Sequence, residues 1–197
     1  MVDQPVKNLY EYLLVLDIEE ELRNRISIIK KGFYDLHKVP SALTGRPNIT
    51  LARFESTEML EQKIMNRLNG ISSGIKPFSV ELENFGSYPM HSIFISIINQ
   101  GHLNELVLKL KEARSLMKRS GKDPHFVEEP LVPIAIRLWK EKYMQVIQEY
   151  SCKKFYGKFL ADNMLLLKRR EQEKKYSIAK RFQFECIPVK SAQGILF

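Results

Sequence analysis

The sequence predicts an α+β fold built as two lobes of antiparallel-rich sheet with helices outside, each lobe giving one face to a central cleft. Three observations carry this. Short β-branched and apolar runs alternate with amphipathic helical stripes through the first half. An alternating strand pair closed by Phe85-Gly86-Ser87-Tyr88-Pro89 marks an antiparallel hairpin. The second half then repeats the order strand, helix, strands, with helices too few for a doubly wound sheet.

Element by element, Tyr12 to Leu16 is an apolar run ended by Asp17, and Leu22, Ile26, Ile29, Phe33 and Leu36 follow at helical spacing. A turn-rich loop, Pro40 to Pro47 with Gly45, leads into Asn48-Ile49-Thr50-Leu51-Ala52-Arg53-Phe54, which reads as a strand. Ser56, Thr57 and Glu58 begin a helix with the stripe Leu60, Ile64, Leu68 and Ile71. Phe78, Val80 and Leu82 alternate with polar residues, and the turn above delivers the chain to the strand Ser92 to Ile98. A third helix carries Leu103, Leu106, Leu110, Ala113 and Met117 and stops near Ser120-Gly121, where glycine suits a left-handed cap. A strand from Leu131 to Leu138, a helix bearing Tyr143, Val146, Ile147 and Tyr150, and strands at Phe155 to Leu160, Met164 to Lys168 and Ser177 to Phe184 complete the order.

With 197 residues and 44% hydrophobic content the chain can bury one full core or two small lobes, which argues against disorder. Lys and Arg outnumber Asp and Glu by 31 to 23; the net charge of +8 favours polyanionic partners without assigning one. Cys152 and Cys186 stand far apart in no metal-ligand spacing, so neither a disulfide framework nor a metal centre is expected. The Met1-Val2-Asp3-Gln4-Pro5 start lacks a signal pattern, and no run reaches membrane-span length. The expectation is a soluble cytoplasmic protein with no membrane partner and no cofactor.

Read in order, these elements with Pro47-Asn48-Ile49-Thr50-Leu51 in the first half and Glu129-Pro130-Leu131-Val132-Pro133-Ile134-Ala135 in the second resemble the 2′-5′ RNA ligase-like, two-histidine phosphoesterases. The resemblance runs from Leu9 to Phe184, so residues 1–184 are expected to form a single bilobal phosphoesterase-like domain and 185–197 a C-terminal extension. Members of that family carry two His-x-Thr/Ser-x motifs. Residues two apart on a strand share a face, so each imidazole and its hydroxyl point together into the cleft. One imidazole takes a proton from the attacking hydroxyl while the other protonates the leaving oxygen, and the hydroxyls hold the phosphate.

The resemblance puts Asn48 and Leu131 where the family has histidine, and Thr50 and Pro133 where it has hydroxyls. Three of these four positions depart from the pattern. An amide does not titrate near neutrality, leucine has no polar atom, and proline offers neither hydroxyl nor backbone donor and implies an edge strand or a bulge. No catalytic residue is therefore assigned. For ligand contact the candidates are Asn48 and Thr50; Arg46 and Arg53, which flank the first motif; Arg137, six residues after Leu131 and so on the same nominal face, the best placed of the three arginines for phosphate; and Tyr88, a stacking platform beside Phe85. Of the four histidines His125, six residues before Leu131 in the loop entering the second motif strand, is the one placed to reach the cleft, but surface histidines are far commoner than relocated general acids and it is assigned no catalytic role. Lys168 to Lys175 reads as a solvated hairpin connection, and Ile195-Leu196-Phe197 as an apolar end able to dock on the body or a partner.

The reading expected from these features is an inactive family member that binds RNA, a nucleotide or another phosphorylated ligand in a basic cleft. Two alternatives stay open: an enzyme with substitute catalytic residues, either a phosphodiesterase or a mutarotase as some relatives are labelled, and a protein-interaction scaffold. The sequence leaves the oligomeric state open.

Overall fold

In the computed structural model, residues 9–119 and 121–187 are described. Ser120 and the apolar end Ile195-Leu196-Phe197 lie outside the described residues.

The chain opens with β1 (Leu9–Asp17), α1 (Glu20–His37), a 3-10 turn (Pro40–Leu43), β2 (Asn48–Thr57), α2 (Glu58–Ser73), β3 (Phe78–Tyr88) and β4 (Ser92–Ile98). The third helix, expected as one piece, is split: α3 (Gly101–Leu110) passes through a 3-10 turn (Lys111–Ala113) into α4 (Arg114–Met117). Then come β5 (His125–Phe126), β6 (Val132–Ile136), α5 (Lys140–Cys152), β7 (Tyr156–Ala161), β8 (Asn163–Arg170) and β9 (Ser177–Gln183). In α1 the buried stripe is Leu22, Ile26, Lys30 and Phe33, while Leu36 is exposed. A 3.6-residue period has drifted off the four-three spacing by the last turn, and a lysine takes the inward position.

The strands form two antiparallel sheets, one ordered β5-β2-β1-β8-β9 and the other β6-β4-β3-β7. Each sheet takes strands from both halves of the sequence, so the two lobes are interleaved along the chain. Helix α2 packs on the first sheet against β2 and β9, and α1 and α5 pack on the second. One contiguous apolar core, including Tyr12, Leu14, Phe33, Leu82, Ile95 and Phe182, runs through both sheets.

Alternation on β1 sets the geometry of the site. Tyr10, Tyr12, Leu14 and Leu16 are buried in the core, so Glu11, Leu13, Val15 and Asp17 turn to the opposite face. Their partners on β2 are Glu55, Arg53, Thr50 and Asn48, and those on β8 are Arg169, Leu167 and Leu165. A bulge at Leu51 makes this alignment. Strict alternation would turn Arg53 away from Thr50, and the extra residue brings both onto one face.

Candidate functional site

The helix-free face of the first sheet has a polar cluster at each end and an apolar floor between. At one end Glu11 is bound by Arg53 and by Arg169, whose Nε donates to Oε2 at 2.7 Å, and it accepts from the Tyr176 hydroxyl. Arg169 also stacks over the Tyr176 ring, 4.5 Å from its centroid. Burial alone would raise the Glu11 carboxyl. The hydrogen bonds from Arg169, Arg53 and Tyr176 outweigh burial and hold it below its ordinary value. Tyr176 is pushed up to about 12, first by burial and then by its bond to Glu11.

At the other end three arginines converge on Asp17: Arg23 at 3.2 Å, Arg46 at 3.3 Å and Arg181 at 3.5 Å. Arg181 also donates to the Asn163 amide oxygen at 2.7 Å. Between the clusters lies a groove of about 490 Å³. Its floor is Leu13, Val15, Leu165, Leu167 and Ile178; Asn48, Arg46 and Gly45 form one wall, and Lys174, Lys175 and Tyr176 of the β8–β9 connection form the other.

The candidates read from the sequence separate on this frame. Asn48 lines the groove, where its Nδ2 donates to the Arg46 carbonyl at 2.9 Å and its Oδ1 accepts from Thr50 Oγ1 at 3.4 Å. Arg46 is on the same wall, and Arg53 stands on the same face in the Glu11 cluster. Leu131 precedes β6, and Pro133 lies within it opposite Phe94, on the second sheet. Strands β2 and β6 touch, but neither Leu131 nor Pro133 lines the groove. Tyr88 ends β3 and gives its hydroxyl to Glu129 at 2.7 Å, with its ring 4.9 Å from Phe94. Arg137 is exposed and falls one residue past β6, at φ 59°, so counting strand alternation from Leu131 does not fix where it faces. His125 pairs opposite Arg53 at the sheet edge, which puts an exposed imidazole on the open face.

Sequence reasoning missed the floor, both ion clusters and the wall formed by Lys174, Lys175 and Tyr176. A signal for the floor existed: Tyr12 to Leu16 and Met164 to Leu167 are unbroken apolar runs, and a strand wetted on one face alternates instead. Among the described residues no His, Cys, Asp and Glu side chains gather as a metal site, and no helix is long and apolar enough to cross a membrane.

Two antiparallel sheets sharing a core, with motif-like strands that meet, define the class of bilobal phosphoesterase-like folds. The family model of the 2′-5′ RNA ligase superfamily matches residues 18–173, and the chain belongs to that superfamily. Solved structures with the same fold include LigT of E. coli in its apo form, with TM-score 0.62 at 14% identity over 89% of this chain and 98% of that one. LigT complexed with 3′-AMP matches with TM-score 0.60 at 17% identity, again over 89% and 98% of the two chains. TT0787 of Thermus thermophilus matches with TM-score 0.60 at 11% identity over the same shares. No curated protein matches the sequence.

Proposed function

We propose that this protein binds a phosphorylated ligand, a nucleotide or RNA, in the groove on the first sheet and does not act as a two-histidine phosphodiesterase. The observation that carries the reading is an apolar floor walled by Asn48, Arg46, Lys174 and Lys175. A base or ribose can cover Leu13, Val15, Leu165 and Leu167, while the guanidinium and the ammoniums take phosphate oxygens and the Asn48 amide hydrogen-bonds either part. LigT, which shares the fold, has been solved with 3′-AMP, ATP and NADP+. Positions 48 and 131, read as the motif histidine positions, hold no group that exchanges a proton near neutral pH, so the acid and base of the family reaction are missing. The reading takes residues 1–184 as one bilobal domain, which the continuous core among the described residues supports, and takes the protein as cytoplasmic.

The test is equilibrium titration with 3′-AMP, ATP and a short RNA at low and moderate salt, comparing wild type with Asn48→Ala and Arg46→Ala. Binding that weakens with salt and in both variants is expected; binding indifferent to both would move the site elsewhere.

A second reading has one observation in its favour: His125 brings an imidazole beside Arg53 on the open face. A phosphodiesterase using that imidazole would turn over 2′,3′-cyclic nucleotides, with activity lost in His125→Ala; pure wild type without turnover excludes it.

A further inference from the structure

Behind Arg46, between α1 and the 3-10 turn Pro40–Leu43, lies a second depression of about 420 Å³. Arg23, Lys30, Lys31 and Arg46 line it with Asn24 and Ser27, and among the described residues no carboxylate does. Lys30 sets it apart from a surface patch of lysines. Its residue is only 7% exposed, and among the described residues its Nζ reaches two backbone carbonyls, that of Thr44 at 3.2 Å and that of Pro133 at 3.5 Å. Among the described residues no carboxylate pairs with it, and burial, unrelieved by any acidic neighbour, pulls its pKa down. A buried charge without a counter-charge is expensive, and an ammonium has three donors of which the carbonyls occupy two. The third donor and the unbalanced charge remain beside a cavity whose other charged side chains are all cationic.

We propose that this depression is a phosphate-binding site in which Lys30 supplies a buried ammonium, Lys31 and Arg23 close the rim, and Arg46 is shared with the groove on the first sheet. Because Arg46 lines both cavities, the bound phosphate is either free inorganic phosphate or the phosphate next along an oligonucleotide whose first nucleotide occupies the groove; only the second source rests on the reading under Proposed function. Through its bond to the Pro133 carbonyl, Lys30 also couples the site to β6.

Inorganic phosphate, added at constant ionic strength against chloride, is the first probe. It should raise the melting temperature of the wild type and shift backbone amide resonances of residues 23–31 and 42–46. Lys30→Met, an apolar side chain of similar length, should fold, and should lose the response to phosphate. Lys31→Ala, at an exposed position, should weaken it severalfold. An equal response to chloride, or an undiminished phosphate response in Lys30→Met, overturns the proposal; should Lys30→Met not fold, unchanged phosphate affinity in Lys31→Ala overturns it. The second probe distinguishes the sources by comparing a diribonucleotide carrying a terminal phosphate with a mononucleotide. If the site takes the next phosphate, Lys30→Met should reduce diribonucleotide affinity to that of the mononucleotide and leave the mononucleotide unchanged. A phosphate response with no mononucleotide binding would sink the nucleotide groove and keep this site, with inorganic phosphate as its ligand.

Discussion

The two motif-like strands sit in unequal places, and their residues follow the difference. β2 is internal to its sheet, paired on both sides, and its open face carries Asn48, Thr50, Arg53 and Glu55. β6 is an edge strand, where Pro133 leaves no neighbour short of a backbone donor, and Leu131 lies outside the strand altogether. Other contacts hold β6: the Ser41 hydroxyl both accepts from the Ile136 amide at 3.0 Å and donates to its carbonyl at 2.7 Å, while Lys30 reaches the Pro133 carbonyl. A polar strand meets an apolar one, so of the two it is β2 that presents side chains able to hydrogen-bond a ligand.

The sharpest way to break this comparison is to put the missing groups back. Asn48→His combined with Leu131→His and Pro133→Thr should raise hydrolysis of a 2′,3′-cyclic nucleotide by about 10²-fold or more over wild type, the usual worth of placed proton-transfer groups. Asn48→His alone should do more than Leu131→His alone, since only β2 presents a preformed hydroxyl partner. A folded triple variant with no gain would show that the two strands no longer form one catalytic pair.

The asymmetry concerns the open faces and not the core. Phe182 is fully buried in the first sheet, and truncation to alanine should cost about 3–5 kcal/mol. The sole tryptophan, Trp139, follows β6 in the other lobe. Urea unfolding of Phe182→Ala, followed by Trp139 fluorescence and by far-UV circular dichroism, should show one coincident transition at lower denaturant. Separate transitions would mean that the lobes fold independently.

Much of the fold was legible because strand and helix periods differ, and the order of elements follows from apolar spacing alone. The partition into sheets was not: nothing local says that β8 pairs with β1 while β7 pairs with β3. The site was half legible. Asn48, Thr50 and Arg46 came from the motif, but the bulge at Leu51 that brings Arg53 onto the same open face as Thr50 and the left-handed backbone at Arg137 both defeat counting by twos. The lysines of the β8–β9 connection read as solvated because a mixed-charge turn looks the same whether it faces bulk water or overhangs a groove.

Glu11 gives a smaller test of the first sheet. Its folded pKa lies below the ordinary 4.5, so its contribution is complete above that value and disappears as pH falls through the folded pKa. Glu11→Gln should lower stability at pH 7 by about 1 kcal/mol, because Arg53 is half in water and screening weakens the pair. Chemical denaturation at several pH values should show the gap between wild type and variant closing as the pH falls below 4.5. A gap independent of pH would assign Glu11 a packing role.

The smallest effect discriminates between Arg46 and Arg137, the arginine that counting along the second motif strand favoured for phosphate contact. Arg46 stands on the groove wall, anchored by Asp17 at 3.3 Å, whereas Arg137 is exposed just past β6 with its backbone at φ 59°. If phosphate contact supplies the affinity, Arg46→Ala should weaken RNA binding and reduce the slope of log affinity against log salt by about 1, the loss of one neutralised phosphate. Arg137→Ala should leave both nearly unchanged, since a freely solvated guanidinium adds long-range attraction only, and that is screened beyond about 10 Å at 0.1 M salt. Titrations of the two variants at matched salt concentrations measure the difference directly. Equal slopes for both would place phosphate contact on the β6 side as well, and the polar strand would no longer be the one that holds the ligand.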